Sequence, residues 1–199
     1  ERKEEERVLH TYESIVTMMR DVLRLEGKDK VADKDLQKEF NDNIIKKGYI
    51  GERYARLIEE IFAAKKNYDI AKLSKQEVKN VLKNSKDITN TLIEHIQRKR
   101  GQEIEKTRIK VKYGDSYGEV ILLGDYAFIV KDVDKENRTV TKAKITDAGT
   151  LIDKKKSSTD ELEDALMNIE IPPKVFIKSN LFDNMKHIFG DDVEILFNY

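Results

Sequence analysis

At Gly101 the spacing of apolar residues changes. Before it they recur every three or four positions, the period of a helix with one buried face; after it they alternate or run together in β-branched blocks, the pattern of strands. Helices followed by a run of strands predict an α+β chain with a helical half, residues 1–101, and a sheet-bearing half, residues 102–199.

Four helices are expected in the first half. Val8, Tyr12, Ile15, Val16, Met19, Val22 and Leu23 predict one over residues 4–26, stopped by Gly27. Asp33 or Asp35 is placed to cap a second, which carries Leu36, Phe40, Ile44 and Ile45 and ends at Gly48. Tyr54, Leu57, Ile58, Ile61 and Phe62 mark a third over residues 52–66. Ser74 and Glu77 form a capping box for the fourth, in which each residue satisfies the other's backbone N–H. Val78, Val81, Leu82, Ile88, Leu92 and Ile96 then line one face to about Arg100, with Gly101 closing the helix and residues 67–73 forming the preceding loop.

Beyond Gly101, "RIKVKY", "GEVILLG", "YAFIVKD" and "RTVTKAKIT" predict four strands, and the turn chemistry of "GDS", "GD" and "DKEN" between them predicts an antiparallel meander. The lysine run at 154–158 reads as a loop. Ser158 and Glu161 make a second capping box, for a helix with Leu162, Ala165, Leu166 and Ile169 that cannot continue through Pro172-Pro173. A short strand "KVFIKS", a helix from Ser179 through Phe189 and a final strand "VEILFNY" complete the half.

Composition removes several function classes. With 39% hydrophobic and 38% charged residues the chain is too periodic to be disordered, and no apolar run approaches the roughly 18 residues of a membrane span. Zero cysteines exclude disulfides, thiolate metal sites and cysteine nucleophiles, and fit a cytoplasmic setting. Dense Lys and Glu usage resembles that of heat-adapted proteins. The halves differ in charge: residues 1–101 carry 23 Lys+Arg against 19 Asp+Glu, and residues 102–199 carry 15 against 19. An offset this small excludes a polybasic arm but leaves room for a local basic face.

The chemistry-bearing residues are scattered. His10, His95 and His187 lie far apart, and none has the partners at helical spacing that build a zinc site, so no metal and no other cofactor is expected. Gly114 and Gly118 sit in a hairpin rather than between a strand and a helix, where a phosphate loop belongs. Asp132 and Asp134 form an Asp-x-Asp pair, but at a strand end, where aspartates bond the backbone. Basic residues cluster near helix C-termini: Lys46 and Lys47, Lys65 and Lys66, and Arg98, Lys99 and Arg100. There they complement the helix dipole; if the ends converge, they form with Tyr49 and Tyr68 a patch suited to an RNA backbone or a nucleotide.

The segment from Phe40 to Asp69, with Ile44-Ile45 before Lys47-Gly48, then Tyr54, the Ile58, Ile61, Phe62 stripe and Lys65-Lys66-x-Tyr68-Asp69, resembles HEPN domains. These are four-helix bundles found beside minimal nucleotidyltransferases in prokaryotes, and the similarity covers about residues 8–100. The resemblance implies an archaeal-type nucleotidyltransferase-associated module, a homodimer through the helices, and a protein, nucleotide or RNA partner. Catalytic HEPN ribonucleases place an arginine and a histidine four to six residues apart at the start of the last helix, for general acid–base work on a phosphodiester. Between Glu60 and Val78 this chain has neither, and it has no Gly-Ser to open a nucleotidyltransferase site, so such a site is expected upstream in a longer chain. A non-catalytic binding module is therefore expected, with a free-standing RNA- or ribosome-associated factor and a divergent ribonuclease as the alternatives.

Overall fold

A computed structural model describes residues 2–169 and 179–196. The chain is α+β and divides by its internal contacts into two units, Glu1–Lys99 and Arg100–Tyr199.

In the first unit, helix α1 spans Arg2–Leu25 and buries Val8, Ile15, Met19, Val22 and Leu23 completely, the stripe that its three-and-four spacing demands. Gly27 follows with φ 85°, and Lys28 N–H reaches back to the Leu23 carbonyl at 2.9 Å, so an orphan carbonyl of the last turn is satisfied. Residues 33–35 make a 3-10 turn, α2 covers Leu36–Phe40, and residues 41–45 widen into a π-helical turn. Neither aspartate caps this stretch through its side chain; Asp33 pairs with Arg20 instead. In an α-helix Ile45 would lie about 140° around the axis from Phe40. The wider i→i+5 turn brings it back, and Phe40, Ile44 and Ile45 are all buried.

Helix α3, Arg53–Asp69, buries Ile58, Ile61 and Ala64 and runs three residues past its expected end. Lys65 Nζ bridges both Asp69 carboxylate oxygens at 2.7 Å and extends the last turn; Ala71, at φ 56°, then turns the chain. Phe62 meets Tyr12 of α1 edge-on, with ring centroids 5.2 Å apart. Helix α4, Lys75–Lys106, opens on the expected box: Glu77 N–H to Ser74 Oγ at 3.1 Å and Ser74 N–H to Glu77 Oε1 at 3.2 Å. Val78, Val81, Ile88 and Leu92 join the α1 and α3 stripes in one core, where each fully buried aliphatic chain is worth about 1.5–3 kcal/mol.

Gly101 does not close α4. A glycine inside a helix costs about 1 kcal/mol, less than is needed to stop a helix lacking a left-handed turn at that point. The helix ends five residues later at Lys106, where Thr107 Oγ1, fully buried, donates to the Ile104 carbonyl at 2.6 Å.

Among the described residues the second unit is built on a six-stranded, all-antiparallel sheet in the order β5-β4-β3-β2-β1-β6. The strands are β1 Arg108–Tyr113, β2 Ser116–Leu122, β3 Tyr126–Lys131, β4 Thr139–Ile145, β5 Leu151–Ser157 and β6 Glu194–Leu196. Helix α5, Thr159–Asn168, lays Leu162, Ala165 and Leu166 on one face of the sheet, against Ile121, Phe128, Val130 and Val140. Helix α6, Ser179–Phe189, lays Leu181, Met185 and Phe189 on the other, against Val111, Val120, Ile129 and Ala143. The strand alternation that separates these two sets is the period-2 signal of the sequence.

Strand β5 overturns the expected loop at 154–158. Its buried residue is Leu151, followed by an exposed Ile152 and four exposed charged side chains, so no apolar alternation announces it; backbone pairing with β4 holds it in place. The second capping box is half formed. Ser158 Oγ accepts from Glu161 N–H at 3.1 Å, but the Glu161 carboxylate accepts from Ser157 Oγ at 2.6 Å rather than returning to Ser158. Pro172-Pro173 and the expected "KVFIKS" strand lie outside the described residues, as do the last three residues of "VEILFNY". Among the described residues no helix is long and apolar enough to cross a membrane.

Candidate nucleic-acid interface

The basic residues singled out in the helical half separate into two groups. Asn67, near the end of α3, donates to Glu77 at 2.8 Å, which places Lys65, Lys66 and Tyr68 beside the first turn of α4. The Tyr49 ring lies 6.3 Å from that of His95, which places Lys46, Lys47 and Tyr49 beside the turn of α4 that carries Arg98 and Lys99. At 1.5 Å per residue, the stretch of α4 from Glu77 to His95 is about 27 Å long. Helix ends of one sequence type thus converge only in pairs, and the single lysine and tyrosine patch does not form.

Local acids occupy several of these cations. Lys46 Nζ lies 2.8 Å from Asp42, Lys65 pairs with Asp69, and Lys99 Nζ lies 3.3 Å from Glu26. The Lys46–Asp42 pair is exposed and of a kind that contributes little to stability, about 0–1 kcal/mol, whereas Lys99 and Glu26 are largely covered; all three pairs lower the positive potential offered to an outside anion. Arg100 belongs to the second unit and donates to the Ile169 carbonyl. Lys47, Lys66 and Arg98 are exposed and have no ion pair among the described residues.

His95 is the unexpected element. It is only 5% exposed, and neither ring nitrogen has a hydrogen-bond partner among the described residues. Burial pushes its pKa below the ordinary 6.5; Arg98 and Lys99 push the same way, and Glu26 opposes them. The folded state therefore holds the imidazole neutral, while the unfolded chain binds a proton near pH 6.5. The stability that follows is present above about pH 6.5 and is lost as pH falls from there toward the depressed folded value. Thermal melts are expected to shift downward between pH 7 and pH 5, above the range in which carboxylates titrate. His95→Leu is expected to flatten that slope, and a slope unchanged by the substitution would contradict it.

A second surface lies on the sheet. An open concavity of about 1030 Å³ runs over the β3–β5 end of the sheet. Lys142, Lys144, Lys154, Lys155 and Lys156 line it, together with Tyr126. Its carboxylates are Asp125, Asp153 and Glu161, so cations exceed anions. Lys142 stands directly opposite Lys155 in the β4–β5 register, and Lys144 lies opposite Ile152. Between these pairs one residue on β4, Ala143, faces two on β5, Asp153 and Lys154, a bulge in which Asp153 takes φ 52°. Lys142 Nζ sits 4.9 Å from the Tyr126 ring centroid and 5.8 Å from that of Phe128, and 3.4 Å from Glu161 Oε1. Lys144 Nζ lies 3.8 Å from Asp153. The alternation of "TVTKAKI" carries the signal for this face, since it sets Val140, Lys142 and Lys144 on one side of β4.

Asp132 takes left-handed backbone at φ 57°, its N–H donates to Tyr113 Oη at 3.0 Å, and its carboxylate lies 3.6 Å from Lys135 Nζ. Those contacts engage it in the turn. Among the described residues no group of three or more His, Asp or Glu side chains is placed to hold a metal ion. Gly118 lies within β2, its Cα face against Phe189 rather than at a phosphate. Neither the family models, nor the curated proteins, nor the solved structures contain a match to this chain.

Proposed function

We propose that the chain is a non-catalytic binding and assembly module: a HEPN-like helical unit that pairs with a second copy of itself, followed by an α+β unit, with RNA, a nucleotide or a protein as partner. In this reading it belongs to an archaeal-type nucleotidyltransferase whose active site lies elsewhere.

The state of His95 carries the non-catalytic part. The helical unit has two histidines, each three residues from an arginine in sequence: His10 after Arg7 and His95 before Arg98. General acid–base work on a phosphodiester needs an imidazole that reaches the substrate and titrates near neutrality. His95 is buried, held neutral and late in α4 rather than at its start. His10 is exposed on α1, with Glu13 Oε2 3.8 Å from its Nδ1, and Arg7 is also on α1. Neither arrangement matches the arginine and histidine four to six residues apart at the start of the last helix that such catalysis uses, which supports the non-catalytic reading.

Incubation of the protein with labelled single-stranded RNA is expected to leave the RNA intact over hours, with Lys66→Ala indistinguishable from wild type. Sedimentation velocity across a hundredfold concentration range is expected to show a dimer. RNA cleavage that disappears in His95→Ala or Lys66→Ala would overturn the non-catalytic reading, and a monomer at every concentration would remove the assembly role.

A further inference from the structure

We infer that the β4–β5 concavity is a binding site for single-stranded nucleic acid, held by its phosphates; the inference rests on reading the chain as a binding module and names the partner class. Like charges directly opposite across two strands destabilise a sheet, yet Lys142 faces Lys155 in that way. The lysines are not confined to the outer strand. Lys142 and Lys144 stand on β4, which has neighbours on both sides, so the charge occupies the face of the sheet.

The arrangement suits an extended polyanion. Successive same-face residues on a strand are about 6.6–6.8 Å apart and adjacent strands about 4.8 Å apart, so Lys142, Lys144 and Lys155 present a staggered row that a stretched sugar–phosphate chain can follow. Two of the three carboxylates are engaged, Glu161 with Lys142 and Asp153 with Lys144. Lys154, Lys155 and Lys156 are exposed and have no ion pair among the described residues. Tyr126 lies under Lys142, so movement of that lysine toward a phosphate uncovers an aromatic face on which a base stacks. An open sheet surface with an aromatic floor accepts splayed bases, which a duplex keeps inside its stack.

The test is fluorescence polarisation with a labelled single-stranded RNA of about 12 nucleotides, within the range one sheet surface covers. A DNA strand of the same length and polyglutamate are run beside it. Wild type is expected to bind nucleic acid with an affinity that falls as salt rises. Lys142→Gln/Lys144→Gln/Lys155→Gln is expected to bind at least tenfold more weakly, with a salt slope shallower by about 2, at about 0.7 per lost contact on a single strand. Lys47→Gln/Lys66→Gln/Arg98→Gln, on the helical unit, is expected to stay within twofold of wild type. Lys155→Gln alone alters one exposed side chain and is expected to reduce the slope by about 0.7, which keeps the test decisive if the triple variant folds poorly.

Parity between RNA and DNA, or a preference for RNA, both support the site. Binding of polyglutamate without nucleic acid, an equal loss in the helical variant, or no binding of either oligonucleotide overturns it. RNA cleavage by the wild type would overturn the non-catalytic reading while leaving this site standing, so the two failures are distinguishable.

Discussion

Gly118→Leu is expected to destabilise the α+β unit by about 3 kcal/mol, near the upper end for overpacking a filled core. A Cβ added at Gly118 would stand 2.6 Å from Phe189 Cε1, 3.0 Å from the Val130 carbonyl oxygen and 3.1 Å from Tyr113 Cε1. The ring of Phe189 is 6% exposed and wedged on the sheet by Met185 and Leu181 of its own helix, and the Val130 oxygen is backbone within β3. Neither neighbour can withdraw without moving α6 or parting β2 from β3. The melting temperature is expected to drop by more than about 10 °C, at about 4–8 °C per kcal/mol for a unit of this size. Gly118→Ala/Phe189→Ala is expected to cost less than the sum of its single changes, because they share one contact. A Gly118→Leu protein that melts within a degree or two of wild type would show that α6 does not bear on β2.

Phe40→Ala is expected to cost the helical unit about 3–5 kcal/mol, the range for emptying a buried aromatic site. Phe40 is fully buried and is the last residue before the backbone widens into its π-helical turn. That turn aims Ile44 and Ile45 at the same core, so a void at Phe40 removes what the wider turn is built around. Urea unfolding followed by far-ultraviolet circular dichroism measures the loss. A midpoint shift equivalent to less than about 1 kcal/mol would mean that the turn closes over the void, and Ile45→Ala would then be nearly silent as well.

The sequence is legible where structure is decided within a few residues. Ser74 and Glu77 meet across one turn, and Gly27 needs only its own left-handed backbone, so both ends appear where the residues put them. Gly101 misleads because a helix tolerates glycine unless the chain also turns there, and the turn occurs at Thr107. Strand β5 is illegible because its order comes from a partner strand, not from its own side chains. The π-helical turn hides for a related reason: Ile44 and Ile45 fit an α-helical stripe imperfectly, and the core they share with Phe40 decides the difference. Candidate sites fared by the same rule. Clusters of lysine at helix ends are plain in the sequence, but the length of α4 separates them, whereas the facing of Lys142 and Lys155 depends on a strand register that no local pattern states.

The open sheet has two rims, and each discourages a second molecule from extending it. On β5 the rim carries Lys154, Lys155 and Lys156, so two such rims brought together would repel; on β6, among the described residues, three offer backbone for pairing. Fibril growth needs a long, neutral strand as its template, and among the described residues neither rim provides one. Heating followed by cooling at moderate salt should therefore return dispersed protein rather than precipitate, and neutralising the β5 lysines should make the same cycle leave aggregates.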